Sequence, residues 1–125
     1  MKKKKIYIIE DDEKYIEFYI ALFDQMENIE PFFENTGDKG LEMIKSGEPD
    51  LCIIDYYLPN LDGITLCKEL RKIDKFKNIP IIVISSSPLK GNKKKIFEEA
   101  GFDKWYEKPL NIKEFRENVE ALLSY

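Results

Sequence analysis

Apolar runs and amphipathic stretches alternate along this chain from end to end. Three short runs carry no charged or strongly polar residue: Ile6-Tyr7-Ile8-Ile9, Leu51-Cys52-Ile53-Ile54 and Ile79-Pro80-Ile81-Ile82-Val83-Ile84. Unbroken, largely β-branched apolarity over so few residues predicts strands covered on both faces, as in a parallel sheet held between helices. Pro80 falls near the start of its run, where a missing N–H donor is tolerated. Pro31-Phe32-Phe33-Glu34 and Lys104-Trp105-Tyr106-Glu107 are weaker strand candidates. Helical spacing fills the intervals. Ile16, Tyr19, Ile20, Phe23 and Met26 recur at helical intervals, and Leu41 and Ile44 mark a short helix after Thr36-Gly37-Asp38. Leu66, Leu70 and Ile73 mark a third, residues 93–100 with Asn92 as cap a fourth, and Ile112, Phe115, Val119 and Leu122, opened by Asn111 as N-cap, the last. Strict alternation of strand and helix predicts an α/β fold with helices on both faces of the sheet and right-handed crossovers.

Size and composition narrow the classes. The 125 residues fit a single domain over 1–125, with no output domain in the chain. At 43% hydrophobic and 13% aromatic residues the sequence is too apolar to be disordered. No run reaches the ~20 apolar residues of a membrane span. The lysine-rich start is followed only by Ile6–Ile9, too short for the apolar stretch of a signal peptide, so no membrane insertion is expected. A net charge of −4 speaks against direct nucleic-acid binding driven by bulk charge. Cys52 and Cys67 form no CxxC pair and no disulfide framework; Cys52 reads as a buried thiol, and the location expected is cytoplasmic. The chain has no histidine, which removes Ser–His and Cys–His catalysis, imidazole bases and histidine metal sites. Chemistry must fall to carboxylates, hydroxyls, amines or thiols.

Ligands of open parallel sheets bind beyond the carboxyl ends of the strands. There the first predicted strand ends in Glu10-Asp11-Asp12, the third in Asp55, the fourth in Ser85-Ser86-Ser87 and the fifth in Lys108-Pro109. Several carboxylates, a hydroxyl and an amine are thus expected on one edge. Crowded carboxylates raise one another's pKa or need a counter-ion. An all-oxygen set with open positions suits Mg²⁺, which keeps waters and shares its shell with phosphate oxygens.

These segments together resemble the receiver domain of bacterial two-component response regulators. The resemblance rests on Ile8-Ile9-Glu10-Asp11-Asp12, on Asp55 through Gly63, on Pro80 through Ser85 and on Gly101 through Leu110, and it spans essentially the whole chain. It implies a flavodoxin-like, doubly wound (βα)5 fold with strand order 2-1-3-4-5, the order that chemotaxis receivers illustrate. It implies that Asp55 is the phosphoacceptor, forming an aspartyl phosphate. Asp11 and Asp55 would bind Mg²⁺ directly, Glu10 would help through water, and the backbone carbonyl of Tyr57 would complete the set. Ser85, with Ser86 as the competing choice, would contact one phosphoryl oxygen and Lys108 another, and Pro109 would follow a cis peptide. Ser85 and Trp105 would form the switch, Trp105 standing where the family usually has Tyr or Phe. The implied partners are a histidine kinase or histidine phosphotransfer protein and a downstream protein target. The target would dock on the face of the fourth helix, fifth strand and fifth helix, by a monomer or a phosphorylation-dependent dimer. The domain would catalyse only its own phosphorylation and dephosphorylation.

Other readings compete. Acidic strand ends are often only solvated loops, and Asp12 reads equally as a helix start favoured by the dipole. Tyr57, beside the path of hydrolytic water, either slows loss of the phosphoryl group or is an inert ring. Lys93-Lys94-Lys95 opens the fourth helix against the dipole; it is either a solvated face or a loosely held basic segment for an acidic partner. A phosphorylation-independent interaction module and a Mg²⁺-dependent phosphatase are the alternative functions. Against the phosphatase, such enzymes often carry a second acid two residues past the nucleophile, where this chain has Tyr57.

Overall fold

The computed structural model describes residues 2–124. Five strands, β1 (Lys4–Ile9), β2 (Ile29–Glu34), β3 (Leu51–Asp55), β4 (Ile81–Ser85) and β5 (Lys104–Glu107), alternate with five helices, α1 (Glu13–Asp24), α2 (Gly37–Lys45), α3 (Gly63–Arg71), α4 (Lys93–Ala100) and α5 (Ile112–Leu123). A single 3₁₀ turn, Asp74–Phe76, lies between α3 and β4. All strand pairs are parallel and the order is β2-β1-β3-β4-β5, the flavodoxin-like order the resemblance implied.

Burial follows the apolar pattern. Every residue of β3 and β4 is buried, as are Ile6–Ile9 of β1, because these central strands are covered on both faces. The two edge strands, β2 and β5, are only partly covered. One core, with Ile9, Cys52, Ile54, Leu66, Val83 and Phe97, lies toward α2, α3 and α4. The other, with Ile8, Tyr19, Phe23, Ile53, Ile82 and Phe115, lies toward α1 and α5. Cys52 and Cys67 are both free and buried, and burial pushes the Cys67 thiol up to about 12. Among the described residues, no helix is long and apolar enough to cross a membrane.

Several local expectations shift. Pro80 lies outside β4, which starts at Ile81; its carbonyl still accepts from Cys52 N–H at 3.0 Å. Pro31 sits inside β2, permitted because β2 is an edge strand. The buried stripe of α1 is Tyr19, Leu22 and Phe23, while Ile20 is 50% exposed. Of the expected stripe, Tyr19, Phe23 and Met26 are buried, Ile16 is half-buried and Ile20 faces solvent.

Four helix starts are capped by side chains. Asp12 accepts from Lys14 N–H, Thr36 from Lys39, Asp62 from Thr65 and Asn111 from Glu114. Asn92 makes no such bond to α4. Lys93 instead donates to the Ser87 hydroxyl at 3.1 Å and the Pro88 carbonyl at 3.3 Å, with its ammonium 5.1 Å from the Tyr56 ring centroid. The first lysine of the triplet is therefore committed inward, and only Lys94 and Lys95 present the solvated face that the sequence allowed for all three. Gly101 ends α4 at φ +108, a left-handed position that favours glycine.

Candidate functional site

The carboxyl ends of the parallel strands carry the chemistry. β1 runs out into Glu10 and Asp11, the last residue of β3 is Asp55, the last of β4 is Ser85, and Lys108 follows β5 directly. The register of a parallel sheet brings these ends to one edge. Carboxylate oxygens of Glu10, Asp11 and Asp55 lie within 4.8 Å of one another. Glu10 and Asp55 are 1% and 4% exposed, whereas Asp11 faces solvent.

Lys108 is the cation that lets two carboxylates share this interior. Its ammonium lies 3.0 Å from Glu10 Oε1 and 3.0 Å from Asp55 Oδ2, and its side chain is 11% exposed. Burial pulls this ammonium's pKa down, but hydrogen bonding and charge from Asp55 and Glu10 outweigh it and hold the value above that of an ordinary lysine. Asp55 Oδ1 accepts the N–H of Tyr57 at 3.0 Å. Glu10 Oε2 accepts from Asp12 N–H at 3.1 Å, while Glu10 Oε1 is buried and makes no well-angled hydrogen bond. Burial, then the hydrogen bond and charge of Asp55, push the Glu10 carboxyl up to about 8 against the lowering pull of Lys108. Three carboxylates within 4.8 Å of one another fit a hard cation, which would relieve the repulsion that Lys108 offsets only in part.

Ser85 is fully buried, and its hydroxyl donates to the Ser87 carbonyl at 2.8 Å. Ser86, the competing choice, is exposed. The Tyr57 ring is 54% exposed, and its hydroxyl accepts from Ser87 Oγ at 3.1 Å. The Lys108–Pro109 peptide is cis. Trp105 stands apart from the cluster, half-buried against the core on the α4 side of the sheet. Asp12, the other ambiguous acid, is exposed and caps α1.

Sequence reasoning missed the aromatic wall beside these groups. Tyr15 of α1 lies with its ring centroid 4.2 Å from the Lys108 ammonium. Tyr19, one turn on, is fully buried, and its hydroxyl has no hydrogen-bond partner. Burial and then the charges of Glu10 and Asp55 push its pKa up. The usable signal was the i, i+4 spacing of two tyrosines on the helix that follows Glu10-Asp11.

Glycine keeps the end of β3 close to α3. A Cβ on Gly63 would collide with the Asp55 carbonyl oxygen, so only glycine lets the helix start this near the strand end.

The chain's relatives agree with this geometry. Residues 6–120 match the family model of the response regulator receiver domain. The polar-differentiation response regulator DivK of Brucella anthropi is 26% identical over 120 residues, covering 96% of each chain. The receiver domain of Francisella response regulator 1452 superposes with a TM-score of 0.84 at 31% identity, covering 97% of each chain. The receiver domain of a Pseudomonas aeruginosa sensor histidine kinase superposes at 0.86, with 20% identity and 97% and 98% of the two chains covered. That structure holds a magnesium ion coordinated in its active-site cleft. A parallel sheet in the 2-1-3-4-5 order, acids at the ends of its first and third strands and a family match over nearly the full length lead to one conclusion: this chain belongs to the response regulator receiver domains of two-component signalling.

Proposed function

We propose that the chain accepts a phosphoryl group on Asp55 from a histidine kinase or histidine phosphotransfer protein. One observation carries the reading: Asp55 is nearly buried, yet it is held between a backbone N–H on one oxygen and an ammonium on the other, with two further carboxylates beside it. Phosphoryl transfer needs a positioned nucleophile and neutralisation of oxygen charge more than covalent help. An Asp55 oxygen attacks phosphorus, the new O–P bond forms as the P–N bond of a phosphohistidine breaks, and the imidazole leaves with its electron pair. The N–H of Tyr57 fixes the rotamer of the attacking carboxylate, and Lys108 offsets charge on the transferred oxygens. Glu10, Asp11 and Asp55, with the Tyr57 carbonyl, are the groups that would hold Mg²⁺. When bound, Mg²⁺ would supply positive charge against the developing phosphoryl charge. The magnesium in the relative from Pseudomonas aeruginosa supports that assignment.

Ser85 supplies the readout. Its hydroxyl is spent on the Ser87 carbonyl here; turning toward a phosphoryl oxygen releases that bond and frees the segment leading to α4. Trp105, partly covered on the α4 side, is read as the aromatic that responds, and the docking face proposed for a downstream protein is α4, β5 and α5. Beyond its own phosphorylation and dephosphorylation, no metabolic turnover is proposed.

Incubation with Mg²⁺ and acetyl phosphate followed by intact mass tests the assignment. One phosphoryl adduct on the wild type, absent from Asp55→Asn and absent with a chelator, is expected. A protein that stays unmodified, or an adduct that survives Asp55→Asn, refutes it.

The raised Glu10 pKa makes a second prediction. In the metal-free protein the folded chain retains the Glu10 proton between its ordinary value near 4.5 and about 8, while the unfolded chain has released it. This carboxyl's contribution to stability therefore falls as pH rises through that window. A cation must displace the same proton, so Mg²⁺ affinity should climb with pH until about 8 and binding should release protons. Calorimetry in buffers of different ionisation enthalpy reads this directly. Glu10→Gln should flatten the pH dependence, and an unchanged slope in that variant would refute the link.

A further inference from the structure

A lysine ammonium has three N–H bonds to place. Two partners of Lys108 are Glu10 Oε1 and Asp55 Oδ2, each at 3.0 Å. A third is the face of an aromatic ring: Nζ lies 4.2 Å from the centroid of Tyr15. That ring is itself held. It meets Phe18 edge-on at 5.7 Å and Tyr19 at 6.2 Å between centroids, and its hydroxyl accepts the backbone N–H of Leu110 at 3.4 Å. Leu110 lies two residues beyond Lys108, so one side chain of α1 touches both the ammonium and the backbone that carries it.

We propose that Tyr15 is a positioning residue for the Lys108 ammonium, its ring face holding a third side of the cation. The proposal rests on Asp55 being the phosphoryl acceptor and adds the group that seats that acceptor's cation. A ring face suits the task for a physical reason. A third carboxylate there would repel the incoming phosphoryl oxygens, whereas a ring attracts the ammonium through its quadrupole and carries no net charge. A ring also permits sliding. When Asp55 becomes esterified, the ammonium must shift from Asp55 Oδ2 toward a phosphoryl oxygen. A hydrogen bond to a fixed oxygen weakens steeply on such a shift, but contact with an extended π face changes little. The ring wall also screens the ammonium from water, which strengthens its hold on both carboxylates.

The test uses the full chain with three replacements: Tyr15→Phe, Tyr15→Leu and Tyr15→3,4,5-trifluorophenylalanine, the last keeping the ring's shape while removing most of its quadrupole. Two readouts are taken: the rate of phosphoryl uptake from acetyl phosphate with Mg²⁺, and the NMR shift of the Lys108 ε-methylene protons in metal-free protein. Tyr15→Phe should stay within about threefold of wild type, and both Tyr15→Leu and the fluorinated ring should be slower by about tenfold. The ε-methylene protons should be ring-current shifted upfield in wild type and Tyr15→Phe and return toward ordinary lysine values in Tyr15→Leu. Uptake by the fluorinated variant equal to that of Tyr15→Phe overturns the proposal, because packing would then explain the leucine result. Unshifted ε-methylene protons in the wild type overturn it as well. Failure of the wild type to take up phosphoryl groups would instead overturn the acceptor assignment, leaving the NMR measurement to judge the Tyr15–Lys108 contact.

Discussion

Lys108→Ala is expected to slow phosphoryl uptake by about 10²–10³-fold, the loss typical of removing one preorganised donor from a developing oxyanion. The ammonium sits 3.0 Å from the Asp55 oxygen that the Tyr57 N–H leaves free, and its side chain is only 11% exposed. Water entering a truncated site cannot reproduce a fixed charge at that distance, because it must reorient as charge develops. Lys108→Arg should rescue little. A planar fork needs more room and aims its donors differently from a compact ammonium. Stability moves too. Removing a cation that meets both Glu10 and Asp55 leaves two buried carboxylates together and raises Glu10 further, since the charge of Lys108 pulls its value down. The variant should therefore lose most stability at alkaline pH, where that proton must finally leave. Time-resolved intact mass and urea unfolding at two pH values measure both effects. Uptake within threefold of wild type would mean that the ammonium does not act on the transferred group.

Arg71→Ala should cost about 1–3 kcal/mol of folding stability, as leaving partly buried carbonyls without their donor does. The guanidinium at the end of α3 donates to the carbonyls of Phe76 at 2.8 Å, Lys77 at 3.2 Å and Ile79 at 2.8 Å through Nη1. It donates to the Gly101 carbonyl at 3.0 Å through Nε and 2.8 Å through Nη2, and to Asp103 Oδ2 at 2.9 Å. Asp103 Oδ2 in turn accepts the N–H of Ile81 at 2.8 Å. One side chain thus joins the end of α3, the 3₁₀ segment, the left-handed turn after α4 and the start of β4. Its loss strands several carbonyls in a place where the side chain is only 18% exposed. Lysine cannot replace it, having three donors on a point charge in place of a rigid five-donor fork. The network lies at the opposite edge of the sheet from Asp55, so uptake per folded molecule should be unchanged. Chemical denaturation reads the loss, and a cost below about 1 kcal/mol would mean that water takes over the carbonyls.

Much of the fold could be read directly. Ile53 and Ile82 lie within runs that have no polar face to offer water, so both faces of the sheet had to be covered, and they are. Caps were legible wherever a short polar side chain preceded an apolar stripe, as at Asn111, because the hydrogen bond is local. Asn92 satisfies the same pattern and makes no such bond, because its backbone, at φ −93 and ψ 15, lacks the extended conformation of the capping residues. The stripe of α1 was legible at Tyr19, Phe23 and Met26, which are buried, while Ile20 fits the same period and is 50% exposed, because the choice between adjacent positions is made by what the helix meets.

The site divides along the same line. Residue types at strand ends could be listed along the chain, and parallel topology was enough to bring Glu10, Asp11, Asp55, Ser85 and Lys108 to one edge. Their electrostatics could not be read there. Glu10's raised pKa comes from burial and from Asp55, and the contact of Lys108 with the Tyr15 face joins residues on α1 and beyond β5. Hydrophobic period and turn chemistry act within a few residues and are written in the chain. Desolvation, charge coupling and ring contacts depend on distances between distant segments, and those distances exist only once the sheet and its helices have packed.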